Sequence, residues 1–155
     1  MKRLVLIALL GACGSDPVDA EGTYSVGVTN REDQCAFGWV VNEMTPGIQV
    51  VVTQNGTNAI AEIKGGAGFV VGAVLGTATF SGNVDGDELD LFATGTKSNS
   101  KGNCTYTYDG HIAATLTGNA LQGTISYVAN TNTASDCAAV ACTSTQEFSG
   151  SRPPR

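Results

Sequence analysis

The chain predicts an all-β domain: an antiparallel up-and-down meander of about eight strands, forming a small barrel or a two-sheet sandwich and stapled by disulfides. Three observations carry this expectation. Among 155 residues, 20 are glycine and only 14% are charged, and Thr, Ser, Val and Asn supply much of the rest, the vocabulary of short strands and tight turns. Apolar and polar side chains alternate with a period of two in stretch after stretch, and none sustains a helical period. Five cysteines follow or end an export-type leader, which places them in an oxidising compartment.

The leader comes first. Met1, Lys2 and Arg3 precede the apolar run Leu4 to Ala12, and Cys13 follows. The run is shorter than the ~20 apolar residues that span a bilayer, and its basic start and small last residues have the layout of an export signal. Leu10, Gly11, Ala12 and Cys13 resemble the lipobox of bacterial lipoproteins. The resemblance implies that a diacylglycerol is attached to the Cys13 thiol, that the chain is cut before it, and that the new amino terminus is acylated. A thiolate suits this chemistry because it is nucleophilic enough to form a thioether near neutral pH. At about 0.8 kcal/mol per buried methylene, two or three acyl chains hold a domain at a bilayer without a spanning helix. Residues 1–12 are therefore expected to be a lipoprotein signal peptide and Cys13 the lipidation site. Residues 13–22, rich in Gly, Asp and Pro without periodicity, are expected to form a flexible tether of up to roughly 30 Å.

Residues 23–150 make the expected single β domain, a length suited to one core, and residues 151–155 a disordered tail. The first strand is Thr23 to Thr29, where Tyr24, Val26 and Val28 alternate with Ser25, Gly27 and Thr29. Phe37 to Val41 is read as the next. Asn55-Gly56, Asp85-Gly86 and Gly118-Asn119 are read as two-residue hairpin turns. Placing Gln54 opposite Thr57 gathers Ile48, Val50 and Val52 with Ala59, Ala61 and Ile63 on one face. Placing Val84 opposite Asp87 gathers Ala78, Phe80 and Val84 with Leu89, Leu91 and Ala93. Placing Thr117 opposite Ala120 gathers Ile112, Ala114 and Leu116 with Leu121, Ile125 and Tyr127. A slip of one residue would turn each apolar set outward. Phe69 to Leu75, an apolar run broken by Gly72, is read with the strands. Cys104 to Tyr108 is strand-like and either continues through Asp109-Gly110 into Ile112 or turns there. Gln146 to Ser149 is the last short strand, and helix is expected only as one turn around Ala134 to Ala141. The meander resembles the calycin group of lipocalin-like barrels in architecture. The lipocalin Gly-x-Trp motif is missing near the first strand, and the resemblance transfers no site.

With Cys13 assigned to lipid, Cys35, Cys104, Cys137 and Cys142 form an even set. Two disulfides are expected, with three connectivities open. Neither a metal nor a cofactor is expected, because Cys137 and Cys142 lack the Cys-x-x-Cys spacing and His111 is the single histidine. The formal charge of −6 repels phosphate backbones, so nucleic acid is not an expected partner. Asp85, Asp87, Glu88 and Asp90 are clustered as calcium ligands are, but a two-residue hairpin sends Glu88 and Asp90 to one face and Asp87 to the other, and the group reads as a solvated turn. His111 has no Gly-x-Ser-x-Gly elbow to serve and reads as a surface histidine. Phe37 and Trp39 either line a ligand mouth or pack beside a disulfide, the commoner role for aromatic side chains. Ala59, Ala61, Ala78, Gly82, Ala93, Ala114 and Gly123 fall on inward faces, where small side chains let sheets approach closely or leave a cavity; close packing is the rule.

The function these features support is that of a lipid-anchored cell-envelope module, structural or interacting, without catalysis. Its expected partners are the bilayer, through Cys13, and an envelope protein, with the outer membrane as the expected location. The alternative is a lipocalin-like binder of a small apolar ligand in the barrel interior, for which no ligand residue is assigned. Cys13→Ser should release the protein from the membrane fraction and leave the precursor unprocessed. A mutant that still partitions with membranes through a mature, modified terminus would contradict the lipobox reading.

Overall fold

The structure, a computed structural model, describes residues 16–154. Cys13 and the leader lie outside the described residues. The elements are β1 (Gly22–Asp33), β2 (Met44–Asn55), β3 (Asn58–Ile63), helix α1 (Gly65–Leu75), β4 (Thr79–Asp85), β5 (Glu88–Ala93), β6 (Asn99–Lys101), β7 (Cys104–Thr117), β8 (Ala120–Thr131), a 3₁₀ turn (Ser135–Ala139) and β9 (Thr143–Ser151). Every pairing is antiparallel, and eight strands follow one another round a closed barrel: β1 pairs with β2, and so on through β5, which pairs with β7, then β8 and β9, which returns to β1. The short β6 extends the sheet from the edge of β7. Closure decides for a barrel over a sandwich and leaves the eight wall strands without a free edge.

Period-two alternation dictates what is inside. Tyr24, Val26, Val52, Phe80, Val84 and Leu91 are fully buried, while their chain neighbours Ser25, Thr53, Ser81, Asp85 and Asp90 face outward and are exposed. Apolar inside and polar outside is the reverse of a transmembrane barrel's lipid-facing wall. The three apolar faces drawn from the hairpins all point inward. Two of the turns, however, sit one residue further on than expected. Asn55 pairs with Asn58 and Asp85 with Glu88, so the loops are Gly56-Thr57 and Gly86-Asp87; Thr117 pairs with Ala120 as expected. In all three the first loop residue is glycine with φ of 61°, 57° and 61°, the left-handed value that a Gly-first hairpin turn requires. A pairing displaced by two residues preserves the face of every side chain, which is why the apolar sets matched under either register.

Phe69 to Leu75 is helix, not strand. β3 and β4 pair directly, with Glu62 opposite Thr79, so the segment between them has no strand to join and satisfies its own backbone as α1. The helix ends at Gly76, whose left-handed conformation (φ 84°) brings its N–H to the Gly72 carbonyl at 2.8 Å. It is apolar on all sides, so it shows no 3.6-residue period. Phe37 to Val41 is loop, not strand: Ala36, Gly38 and Asn42 all have positive φ and break any ladder. β7 runs straight through Asp109-Gly110, and the 3₁₀ turn lies within the stretch expected to hold one helical turn.

The ordered domain is longer than residues 23–150. Val18 N–H donates to the Gly86 carbonyl at 2.8 Å and Ala20 N–H to Gln54 Oε1 at 2.7 Å. The Tyr24 hydroxyl donates to the Ala20 carbonyl at 2.9 Å. Ser151 completes β9 instead of opening a tail, and Arg152 donates to the carbonyls of Asp19 and Glu21 with its guanidinium over the Tyr24 ring. Part of the stretch read as a tether is therefore fixed to the barrel.

The four described cysteines pair as Cys35–Cys142 and Cys104–Cys137. On chain-entropy grounds the bridge spanning 107 residues contributes about 4.8 kcal/mol and the one spanning 33 about 3.7 kcal/mol. Urea unfolding of the two double-alanine variants should show both destabilised, with the Cys35/Cys142 pair losing more. The opposite order would mean that these bridges act chiefly on the folded state.

Candidate functional site

In an up-and-down barrel successive connections alternate between ends. The tight turns joining β2 to β3, β4 to β5 and β7 to β8 lie together at one end, the turn end, which residues 18–21 and Arg152 cover. The longer connections, residues 34–43, 64–78, 94–103 and 132–142, lie at the other, the loop end, where both disulfides tie them to one another and to the wall.

The barrel encloses a cavity of about 560 Å³, within the ~300–1,000 Å³ usual for small-molecule sites. Val26, Val52, Leu91, Ile112, Ile125 and Phe148 form much of its wall, and Ala67, Val71 and Val74 of α1 and Phe37 and Trp39 of the 34–43 loop cover it. Gly38, Thr45, Gly66 and Val70 line the cavity and are also exposed, so its opening lies between α1 and that loop. Val40 of that loop and Phe69 of α1 are exposed apolar side chains on the two segments that flank it, whereas Met44 lies over Gly27 and Val41 beside Arg31 on the outer wall.

Small inward residues divide into two roles. Ala61 and Ala114 line the cavity, and their short side chains help create it. At Gly82 a Cβ would fall on the Asp90 carbonyl oxygen, and at Gly123 on that of Ala113; these glycines let neighbouring backbone approach closely. Elsewhere the interior is filled: Phe80 and Leu75 close on Gly110, and neither lines the cavity.

The polar lining gathers toward the loop end and is neutral. The Tyr127 hydroxyl donates to Gln146 Oε1 at 3.0 Å, Gln146 Nε2 to Asn30 Oδ1 at 2.7 Å, and Asn30 Nδ2 to the Val40 carbonyl at 3.2 Å. Burial pushes the Tyr127 phenol far above its ordinary pKa, so it stays protonated. Tyr108, beneath Phe37, is also raised, first by burial and then by Tyr106. Trp39 differs from this chain of paired groups. Its indole Nε1 is buried with no hydrogen-bond partner among the described residues, a state that ordinarily costs about 1–3 kcal/mol.

The loop bearing Phe37 and Trp39 is pinned by Asp33, a residue to which the sequence drew no attention. Its carboxylate accepts from Phe37 N–H at 2.9 Å, Gly38 N–H at 2.8 Å and the Ser144 hydroxyl at 3.2 Å. The fully buried Ser144 in turn accepts from Cys35 N–H at 2.9 Å, beside the Cys35–Cys142 bridge. Phe37 meets Trp39, Tyr108 and Tyr127 with ring centroids 5.3, 4.9 and 5.6 Å away. The aromatic pair thus lines the cavity and packs with Tyr108 and Tyr127, and Cys35 of the bridge lies two residues before Phe37. Asp33 reaches N–H groups four and five residues further on, across the left-handed Ala36, and only the fold shows what it carries.

The remaining candidates lie on the outer wall. His111 stacks on Phe92 at 4.3 Å and its Nε2 meets Asp90 Oδ1. Asp85, Glu88 and Asp90 edge an open hollow that also includes Arg31 and Glu147. Among the described residues no three His, Cys, Asp or Glu side chains are grouped to hold a metal, and no helix is long and apolar enough to cross a membrane. No family model, curated protein or solved structure matches the chain.

Asp33→Ala should lower the unfolding free energy by about 1.5–3 kcal/mol, the range for hydrogen bonds to a charged group. As the loop loosens, emission from Trp39, the one tryptophan in the chain, should shift to the red. Unchanged emission and stability would show that the loop is held by its aromatic contacts alone.

Proposed function

We propose that this chain is a lipid-anchored envelope protein whose barrel binds one small apolar molecule. The observation that carries the reading is the cavity of about 560 Å³. Interiors normally pack to crystalline density, and here an apolar space of ligand size coexists with a fully formed core. Burying apolar ligand surface there is favourable by roughly 25 cal/mol per Å², and the opening between α1 and the 34–43 loop supplies a route in. The function is binding without chemistry. The lipobox resemblance supplies the anchor at Cys13, and the N-terminal segment reaches the barrel at the turn end, so the mouth faces away from the attachment point. Between Cys13 and Val18 the extended chain reaches at most about 18 Å, which keeps the turn end close to the bilayer.

The second reading is an interaction module. The exposed apolar side chains of Val40, Phe69 and Val70 on the segments flanking the opening favour it, since apolar surface at one end of the barrel suits a contact surface.

Binding of the neutral fluorophore N-phenylnaphthylamine tests the first reading. One molecule should bind per chain, and Ala114→Phe, which fills the cavity, should weaken binding by at least about tenfold. Val128→Ser, on the exposed outer wall, should leave it unchanged. Equal loss in both variants, or none in either, would place the dye outside the barrel and favour the interaction module.

A further inference from the structure

Alternation along the strands carries polar as well as apolar side chains into the barrel. On β1 the inward series Tyr24, Val26, Val28 continues to Asn30, on β9 the position two before Phe148 is Gln146, and on β8 the series of Leu121 and Ile125 reaches Tyr127. Asn30 pairs directly opposite Gln146, and all three polar residues line the cavity toward the loop end. Toward the turn end the wall of Val52, Leu89 and Leu121 is apolar. The interior therefore has an apolar floor and a polar girdle.

The hydrogen-bonding capacity of that girdle is not exhausted. The Tyr127 hydroxyl gives its proton to Gln146 Oε1 at 3.0 Å, and its oxygen, which can also accept, receives no donor among the described residues. Gln146 Nε2 spends one of its two N–H groups on Asn30 Oδ1 at 2.7 Å, and the other has no acceptor among the described residues. Gln146 is half-buried, so it is not sealed from the cavity that it lines. A spare donor beside a spare acceptor matches a group that both accepts and donates, a hydroxyl or an N–H-bearing amide.

The charge of that group is constrained as well. Among the described residues that line the cavity none is Asp, Glu, Lys, Arg or His. A carboxylate or an ammonium drawn into this space would be desolvated without a counter-charge, and the chain's net charge of −6 adds a field that repels anions. A neutral head group meets neither penalty.

We infer that the ligand is an uncharged amphiphile of the alcohol or amide class, its apolar body against Val52, Leu89 and Leu121 and its head group at the loop end, accepting from Gln146 Nε2–H and donating to the Tyr127 hydroxyl. This rests on the calyx reading and deepens it. Gln146 then orients the ligand, and its neutrality excludes fatty-acid anions that a cation at the same position would admit.

Decanol, decane and decanoate share one chain length and differ in the head group, and each is to displace N-phenylnaphthylamine at about pH 8, where decanoate is ionised. The wild type should bind decanol about three- to tenfold more tightly than decane, the factor of one net hydrogen bond, and decanoate most weakly. Gln146→Leu should lose the preference for decanol, and Gln146→Lys should gain affinity for decanoate. Both should keep their affinity for decane, which also reports that the variants are folded. As a measurement that needs no variant, a side-chain amide proton of Gln146 should move downfield in the nuclear magnetic resonance spectrum on binding decanol, and less on binding decane. Equal wild-type affinity for decanol and decane, a preference that survives in Gln146→Leu, no gain for decanoate in a folded Gln146→Lys, an unmoved amide proton, or tightest wild-type binding of decanoate would each overturn the inference and leave the calyx standing. Failure of the dye and all three probes to bind would overturn the calyx itself.

Discussion

The structure depends on one closure: β5 pairing with β7 while β9 returns to β1, so that eight strands are hydrogen-bonded, each to two neighbours, in a ring. Once the sheet is closed, its interior volume is set by strand number and tilt, and an eight-stranded barrel is just wide enough for side chains to fill or for one small ligand to occupy. Which outcome prevails is decided residue by residue. Tyr24, Val84 and Phe80 are large and fully buried. Ala61 and Ala114 face a space that their own side chains do not reach across, and there the cavity opens.

Closure also sorts the chain by end. Hairpin turns need only two residues at the turn end, whereas the loop end receives α1, the Phe37–Trp39 loop and the 3₁₀ turn. Those longer segments would be the natural sites of local unfolding, and both disulfides, together with the Asp33 and Ser144 hydrogen bonds, are placed among them. The staples therefore hold the mouth in shape more than the wall. At the opposite end Arg152 ties the two termini together across Tyr24, and under the proposed attachment at Cys13 it fixes the direction in which the mouth points.

Much of the wall was legible in the sequence because period-two alternation and glycine turns are local signals. The inward sets around Val52, Leu91 and Ile125 follow from alternation alone, and a one-residue error in the turns at Gly56 and Gly86, which displaces the pairing by two, left them unchanged. The loop end was less legible for three physical reasons. α1 is apolar on every side, so neither a strand nor a helix period marks it. The Phe37–Trp39 loop owes its shape to Asp33 and Ser144, which are 111 residues apart in the chain. The cavity, finally, is a difference between enclosed volume and side-chain volume, and only the closed ring sets the first of these. The unpartnered Trp39 N–H belongs to the same class: its isolation is a property of what surrounds it, not of the residue.

The central claim is that the interior, and not the outer wall or the rim, receives the ligand. Intermolecular nuclear Overhauser effects between bound N-phenylnaphthylamine and the protein's methyl groups test it most directly. The account predicts contacts to Val26, Leu91, Ile112 and Ile125, which line the cavity. Contacts confined to the exposed methyls of Ile60, Val128, Val40 and Val41 would contradict it.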